Sequence, residues 1–135
     1  MNSYQGELTE ANINKINTDI KYLNEDTKRI LLSNEITGKS KDALIQNNIL
    51  QNAQIAINIL KGKADISQIE ASIKVLKTSA DLNTIKTEGE KINNAINMIE
   101  KNISEGSGMT KENGALAPVV NGIRAGVAGI LNLFK

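Results

Sequence analysis

The side chains in this sequence that could do chemistry are few, and most are carboxylates. Glu25/Asp26 and Glu88/Glu90 place acids close together, which acid–base catalysis uses when two environments pull the pKa values apart. Both pairs lie in helical stretches as near neighbours, so all four groups are expected to be solvated. Glu7, Glu10 and Asp19 could offer oxygen ligands to a hard cation, but their spacing is not that of a calcium-binding loop. Gly106, Gly108 and Gly114 could present backbone amides to a phosphate. No strand precedes them, however, and no Gly-Lys-Ser/Thr follows. "TGKS" at 37–40 ends as a phosphate loop does, yet the upstream glycine is missing and its place is held by Ser33.

Cysteine and histidine are both absent, which removes disulfides, thiolate nucleophiles, imidazole bases and ordinary zinc sites. The expectation is therefore a non-enzyme with no catalytic, cofactor-binding or metal site. Sixteen basic residues against fifteen acidic ones leave a net charge of +1, spread along the whole chain. Without a basic face, nucleic acid is not an expected partner. Tyr4, Tyr22 and Phe134 are the only aromatics, too scattered to form a stacking platform. The opening "MNSYQGELTEANINKIN" has neither a basic n-region nor an apolar h-region, so no Sec signal is read and the expected location is a virion or the cytoplasm.

The elements that would position these groups read as helices. Ile13, Ile16, Ile20, Leu23, Thr27 and Ile30 follow one another in steps of 3 and 4, the spacing of a heptad seam. "ALIQNNILQNAQIAINIL", residues 43–60, has no charge but seven Asn or Gln residues. Seven amides cost too much in hydrocarbon for a membrane span. As a helix, it gathers Asn47, Gln51, Gln54 and Asn58 on one narrow face. Ile45, Ile49, Ala53, Ala56, Ile57 and Leu60 lie opposite, and Leu44, Ile55 and Ile59 widen the apolar arc. A helix apolar on most sides is surrounded by others. Asn48 and Asn52 interrupt that arc, so they are expected to pair with amides on adjacent helices and fix register or oligomer state. On this reading, replacing Asn52 by Leu raises stability and loosens the choice of oligomer.

"ADISQI" at 64–69 and "ADLNTI" at 80–85 partly repeat, and Asp65 and Asp81 are each placed to cap a helix start. The stripe Ile66, Ile69, Ile73, Leu76 and Ala80 sits about 140° from the stripe Ile85, Ile92, Ile96, Ile99 and Ile103 on one continuous helix. Either the chain turns near Ser79–Asp81 or one long helix serves two partners. Gly89 occupies a seam position suited to close approach. Residues 104–117 read as a flexible connector, and Pro118 as the opening of a last helix. That helix places Val119, Ile123, Val127, Ile130 and Phe134 on one broad side and Gly122, Gly126 and Gly129 along an edge.

The fold expected is all-α: an elongated bundle of coiled-coil-like helices at about 8–33, 41–61, 65–79 and 82–104, with a tethered C-terminal amphipathic helix. The corresponding organisation is a helical domain at 1–104, a linker at 105–117 and a Gly-rich apolar helix at 118–135. The expected interface for helix packing or oligomerisation is Ile13, Ile16, Ile20, Leu23, Ile30, Ile45, Asn48, Ile49, Asn52, Ala56, Ile85, Ile92, Ile96, Ile99 and Ile103. Val119, Gly122, Ile123, Gly126, Val127, Ile130 and Phe134 form a C-terminal surface for docking or for a bilayer. Narrow stripes bury little alone, so the expected partners are further copies of the chain and other proteins of a larger assembly. A structural protein of that kind, for example an internal, tail or ejection-type component of a phage particle, is the first functional expectation. The alternatives are a membrane-interacting factor working through residues 118–135, where Arg124 opposes a stable span, and a small bacterial helical adaptor.

Overall fold

The computed structural model describes residues 10–33, 36–78, 81–105 and 111–133, with side chains at 11–102 and 117–133 within those ranges. Of these residues 90% are helical and none lies in a strand, so the chain is an all-α bundle. Its helices are α1 (Glu10–Leu32), α2 (Gly38–Leu60), α3 (Ser67–Thr78), α4 (Leu82–Glu105) and α5 (Lys111–Asn132).

The amide-rich stretch is the centre. α2 packs against each of the other four helices, and α1, α5, α4 and α3 form an arc around it in that order. Its pattern dictates this position: Ile45, Ile49, Ala53, Ala56, Ile59 and Leu60 are buried together with Asn48 and Asn52. Asn47, Gln51, Gln54 and Asn58 stay exposed where the arc is open. Each fully buried isoleucine contributes roughly 1.5–3 kcal/mol of transfer free energy. Gly62, at φ 80°, ends α2 in the left-handed region that favours glycine. The Ala64 N–H there donates to the Leu60 carbonyl at 3.1 Å.

In α1, Ile13, Ile16 and Ile20 are buried as expected, whereas Leu23 and Ile30 are only half-buried and Leu31 takes the covered place. Ile13, Ile16, Ile20, Asn24, Thr27 and Leu31 advance 3.6 residues per step, the period of a straight helix rather than of a heptad seam. In α4, Ile85, Ile92, Ile96 and Ile99 are buried, and the Ile103 side chain lies outside the described residues.

The stripes on α1 and α4 do not wait for another subunit. α5 lies between those two helices and also reaches α2. It can do so because its apolar arc is broad: Val119, Val120, Ile123, Val127, Ile130 and Leu131 are all buried. This corrects the premise that the core is incomplete in one chain. It also corrects two boundaries. Glu105 belongs to α4 and residues 111–117 to α5, so the linker expected at 105–117 is helical at both ends; 106–110 lie outside the described residues. Pro118 stands inside α5 instead of opening it. Its missing N–H leaves the Gly114 carbonyl without the usual helical donor, a local cost that the burial of the following residues offsets.

The repeat at Asp65 and Asp81 marks two helix starts. Asp81 is an N-cap: its Oδ1 accepts from the Asn83 N–H at 3.1 Å while its carbonyl accepts from the Ile85 N–H at 2.9 Å. Asp65 works one residue further out. Its Oδ1 accepts from the Ser67 hydroxyl at 2.6 Å and the Ser67 N–H at 3.0 Å, while the Ile66 carbonyl begins the helical ladder. The hydrogen bond from the Ser67 side chain, helped by the one from its backbone, holds the Asp65 carboxyl below its ordinary value. α3 and α4 are thus separate helices packed on each other, and the turn brings their stripes to one core. Gly89 sits where α4 meets α2 and α5: a Cβ there would lie 3.0 Å from Ile49 and 3.1 Å from Leu131. Asp81→Ala is expected to lower unfolding free energy by about 1 kcal/mol, with Asp81→Asn nearly silent, in chemical denaturation.

Candidate functional site

The buried amides of α2 find their partner on α1. Asn24 Oδ1 accepts from Asn52 Nδ2 at 2.8 Å and from Asn48 Nδ2 at 3.1 Å. Asn48 Nδ2 also donates to Thr27 Oγ1 at 3.0 Å, and that hydroxyl donates to the Leu23 carbonyl at 2.8 Å. Asn52 Nδ2 reaches back along its own helix to the Asn48 carbonyl at 3.0 Å. Asn48 and Asn52 therefore pair with an amide of a neighbouring helix, and that helix belongs to the same chain. The sequence reading did not single out Asn24. The signal was present, since Asn24 lies one turn after Ile20 on the buried edge of α1.

The cluster also determines how α5 approaches. A Cβ on Gly126 would collide with the Asn24 side-chain amide, so only glycine lets α5 lie against this point. The expected glycine edge then divides in two. Gly126 is filled by Asn24, whereas a Cβ on Gly122 would meet only Ile20 at 3.9 Å and one on Gly129 would meet nothing within 4 Å. Between α1 and α5 this leaves an open groove of about 330 Å³ above the cluster. Ile20 and Ile130 form its apolar floor, Gly122, Ala125 and Gly129 its low α5 wall, and Lys21, Glu25 and Lys28 its α1 rim.

The charges on that rim differ from their neighbours on the same helix. Lys15 pairs with Asp19 at 3.0 Å and Arg29 with Asp26 at 2.6 Å. Lys21, Glu25 and Lys28 make no hydrogen bond or ion pair among the described residues, although each lysine is three or four positions from the glutamate. On the far side of α5, Arg124 Nε donates to Glu100 Oε2 at 3.1 Å and so ties α5 to α4.

The C-terminal surface expected to dock does so within the chain. Val119, Ile123, Val127 and Ile130 are buried, Gly122 and Gly126 are half-buried, and Phe134 lies outside the described residues. None of the described helices is long and apolar enough to cross a membrane. Of the four carboxylates expected to be solvated, Glu25, Asp26 and Glu90 are exposed, but Glu88 is buried and pairs with Lys91 at 3.2 Å. Its position three residues after Ile85 and four before Ile92 puts it on their face, which the spacing already implied. Among the described residues, no group of three or more acidic side chains is arranged to hold a metal ion.

No family model, no curated protein and no solved structure matches this chain. The groove and the amide cluster beneath it must therefore be read on their own chemistry, which is that of helix packing.

Two expectations follow from this geometry. Gly126→Ala is expected to destabilise by about 1–3 kcal/mol through displacement of the Asn24 amide, whereas Gly129→Ala is neutral or stabilising by up to about 1 kcal/mol; thermal denaturation separates them. Asn52→Leu changes sign relative to the sequence reading. Because the amide is satisfied inside one chain, its loss leaves Asn24 and Asn48 short of a donor and lowers stability by about 1–3 kcal/mol, measured by chemical denaturation.

Proposed function

We propose that this chain is a non-enzymatic assembly protein: a self-contained helical unit that works by packing its outer helix faces against further copies and other helical proteins. The observation that carries the reading is the α1–α5 groove. It is an open helix–helix valley with an apolar floor, a wall lowered by glycine and alanine, and a rim of exposed charges without partners. A concavity of that shape suits a helix or the edge of a bundle better than a small substrate, which binds where most of its surface can be enclosed.

A core closed within one chain supports the same reading. A building block must present one surface reproducibly, and a core held by a satisfied polar cluster has one arrangement of its helices. Within this class, a component of a phage particle is the sub-class we propose, by analogy with small cysteine-free helical proteins that act through association alone. The Arg124–Glu100 pair and the buried apolar side of α5 speak for a packing role of that helix over a bilayer role, which would require both to be given up.

The test is the mass of the full chain in solution across a wide concentration range, by light scattering and sedimentation. The expected result is a mass above that of the 14.6 kDa chain, rising with concentration. A single species at the monomer mass throughout, which also recovers no stoichiometric protein partner, would contradict the proposal.

A further inference from the structure

We propose that the groove between α1 and α5 is the seat of a second copy of this chain, docked about a twofold axis that sets the two α1 helices antiparallel. This rests on the reading of the chain as a self-assembling unit and names the surface that does it. The rim charges supply the main argument. Lys21 and Glu25 lie one turn apart on α1, both exposed, both lining the groove and both unpaired.

A twofold interface uses one surface twice, so its charges must complement themselves. Two antiparallel α1 helices crossing at the level of Leu23 bring Lys21 opposite Glu25 of the second copy and Glu25 opposite Lys21 of the second copy. One unpaired cation and one unpaired anion on each copy thereby become two ion pairs. Lys28 remains at the outer end of the interface, where water reaches it. The neighbouring charges Lys15, Asp19, Asp26 and Arg29 do not line the groove and pair with one another within the chain.

The α5 wall supplies the space. A helix backbone or a bulky side chain of the second copy can come close only where the wall carries no side chain of its own. Gly129 provides such a place and nothing inside the chain uses it, whereas Gly126 is already filled by Asn24. The floor of Ile20 and Ile130 offers apolar area beneath the charges, and Asn24 joins that floor to the buried cluster. The dimer would thus be built directly over the buried amide cluster.

The experiment is a charge swap followed by sedimentation equilibrium of the full chain at low ionic strength, where exposed pairs are least screened. Wild type is expected to dimerise. Lys21→Glu alone and Glu25→Lys alone should each weaken the dimer by about tenfold or more, since each sets like charges face to face twice. The double variant K21E/E25K should recover wild-type affinity, because the swapped charges meet again across the axis. Helicity by circular dichroism should be unchanged in all three, as both side chains are exposed. Gly129→Leu, whose Cβ meets nothing within 4 Å in its own chain and whose side chain projects into the groove, should also weaken the dimer.

The outcomes are separable. A wild type that self-associates but ignores the single reversals overturns this interface and leaves self-assembly standing. Weakening by the single reversals without rescue by the double variant overturns the twofold arrangement and points to a heterologous contact between copies through the groove. A wild type that stays monomeric removes both the interface and the self-association on which it rests.

Discussion

The structure depends on a requirement that two asparagines impose. Asn48 and Asn52 stand in the apolar arc of the central helix, and a buried amide without hydrogen bonds costs about 1–3 kcal/mol. Meeting that demand determines much else. Asn24 and Thr27 must come to one height on α1, which sets the rotation and the longitudinal register of α1 against α2. With Asn24 so placed, α5 can close over it only at a residue without a Cβ, and Gly126 is that residue. Three helices are thereby located by one small polar cluster. Apolar contacts supply most of the favourable free energy, but they are permissive about sliding, whereas hydrogen bonds to a single amide are not.

The second organising feature is the breadth of α5. A helix with a narrow stripe can cover one neighbour. α5 instead buries residues over an arc of roughly 120° and so serves α1, α4 and α2 together. It does this with small side chains, Val, Ala and Gly among them, which keep the axes close. The Arg124–Glu100 pair then holds the α4 side. The same economy of side chains has an outward consequence: where no neighbour fills the space over Gly129, α5 leaves a trough, and the function we propose uses it.

Much of this was legible in the residues. The central place of α2, its exposed amide row and its buried isoleucines follow from the distribution of seven amides around one helix. The break between α3 and α4 follows from stripes that cannot face one core on a continuous helix, and Asp81 marks the restart. Other features depended on non-local geometry. The steps of 3 and 4 in α1 fitted a heptad seam nearly as well as a straight helix, and only burial of Leu31 in place of Ile30 separates them. Gly114 and its polar neighbours gave local signals for a linker and Pro118 one for a helix start, yet the free energy of burying the rest of α5 extends helix back to Lys111. Asn24 could be placed on the buried edge from its position one turn after Ile20, but that two amides of another helix meet it there depends on how α1 and α2 pack. Glu88 was misjudged through its sequence neighbours, when the informative positions were one turn away on either side.

The account as a whole treats the polar cluster as an energetically coupled unit within a single chain. A double-mutant cycle on Asn24→Ala and Asn52→Ala, by chemical denaturation at a concentration where the chain is monomeric, measures that coupling directly. The account expects the two losses to be non-additive by about 1 kcal/mol or more, as for residues sharing one hydrogen-bond network. Losses that add to within about 0.3 kcal/mol would mean that the two amides do not meet in the folded monomer, and the packing of α1, α2 and α5 described above would be contradicted.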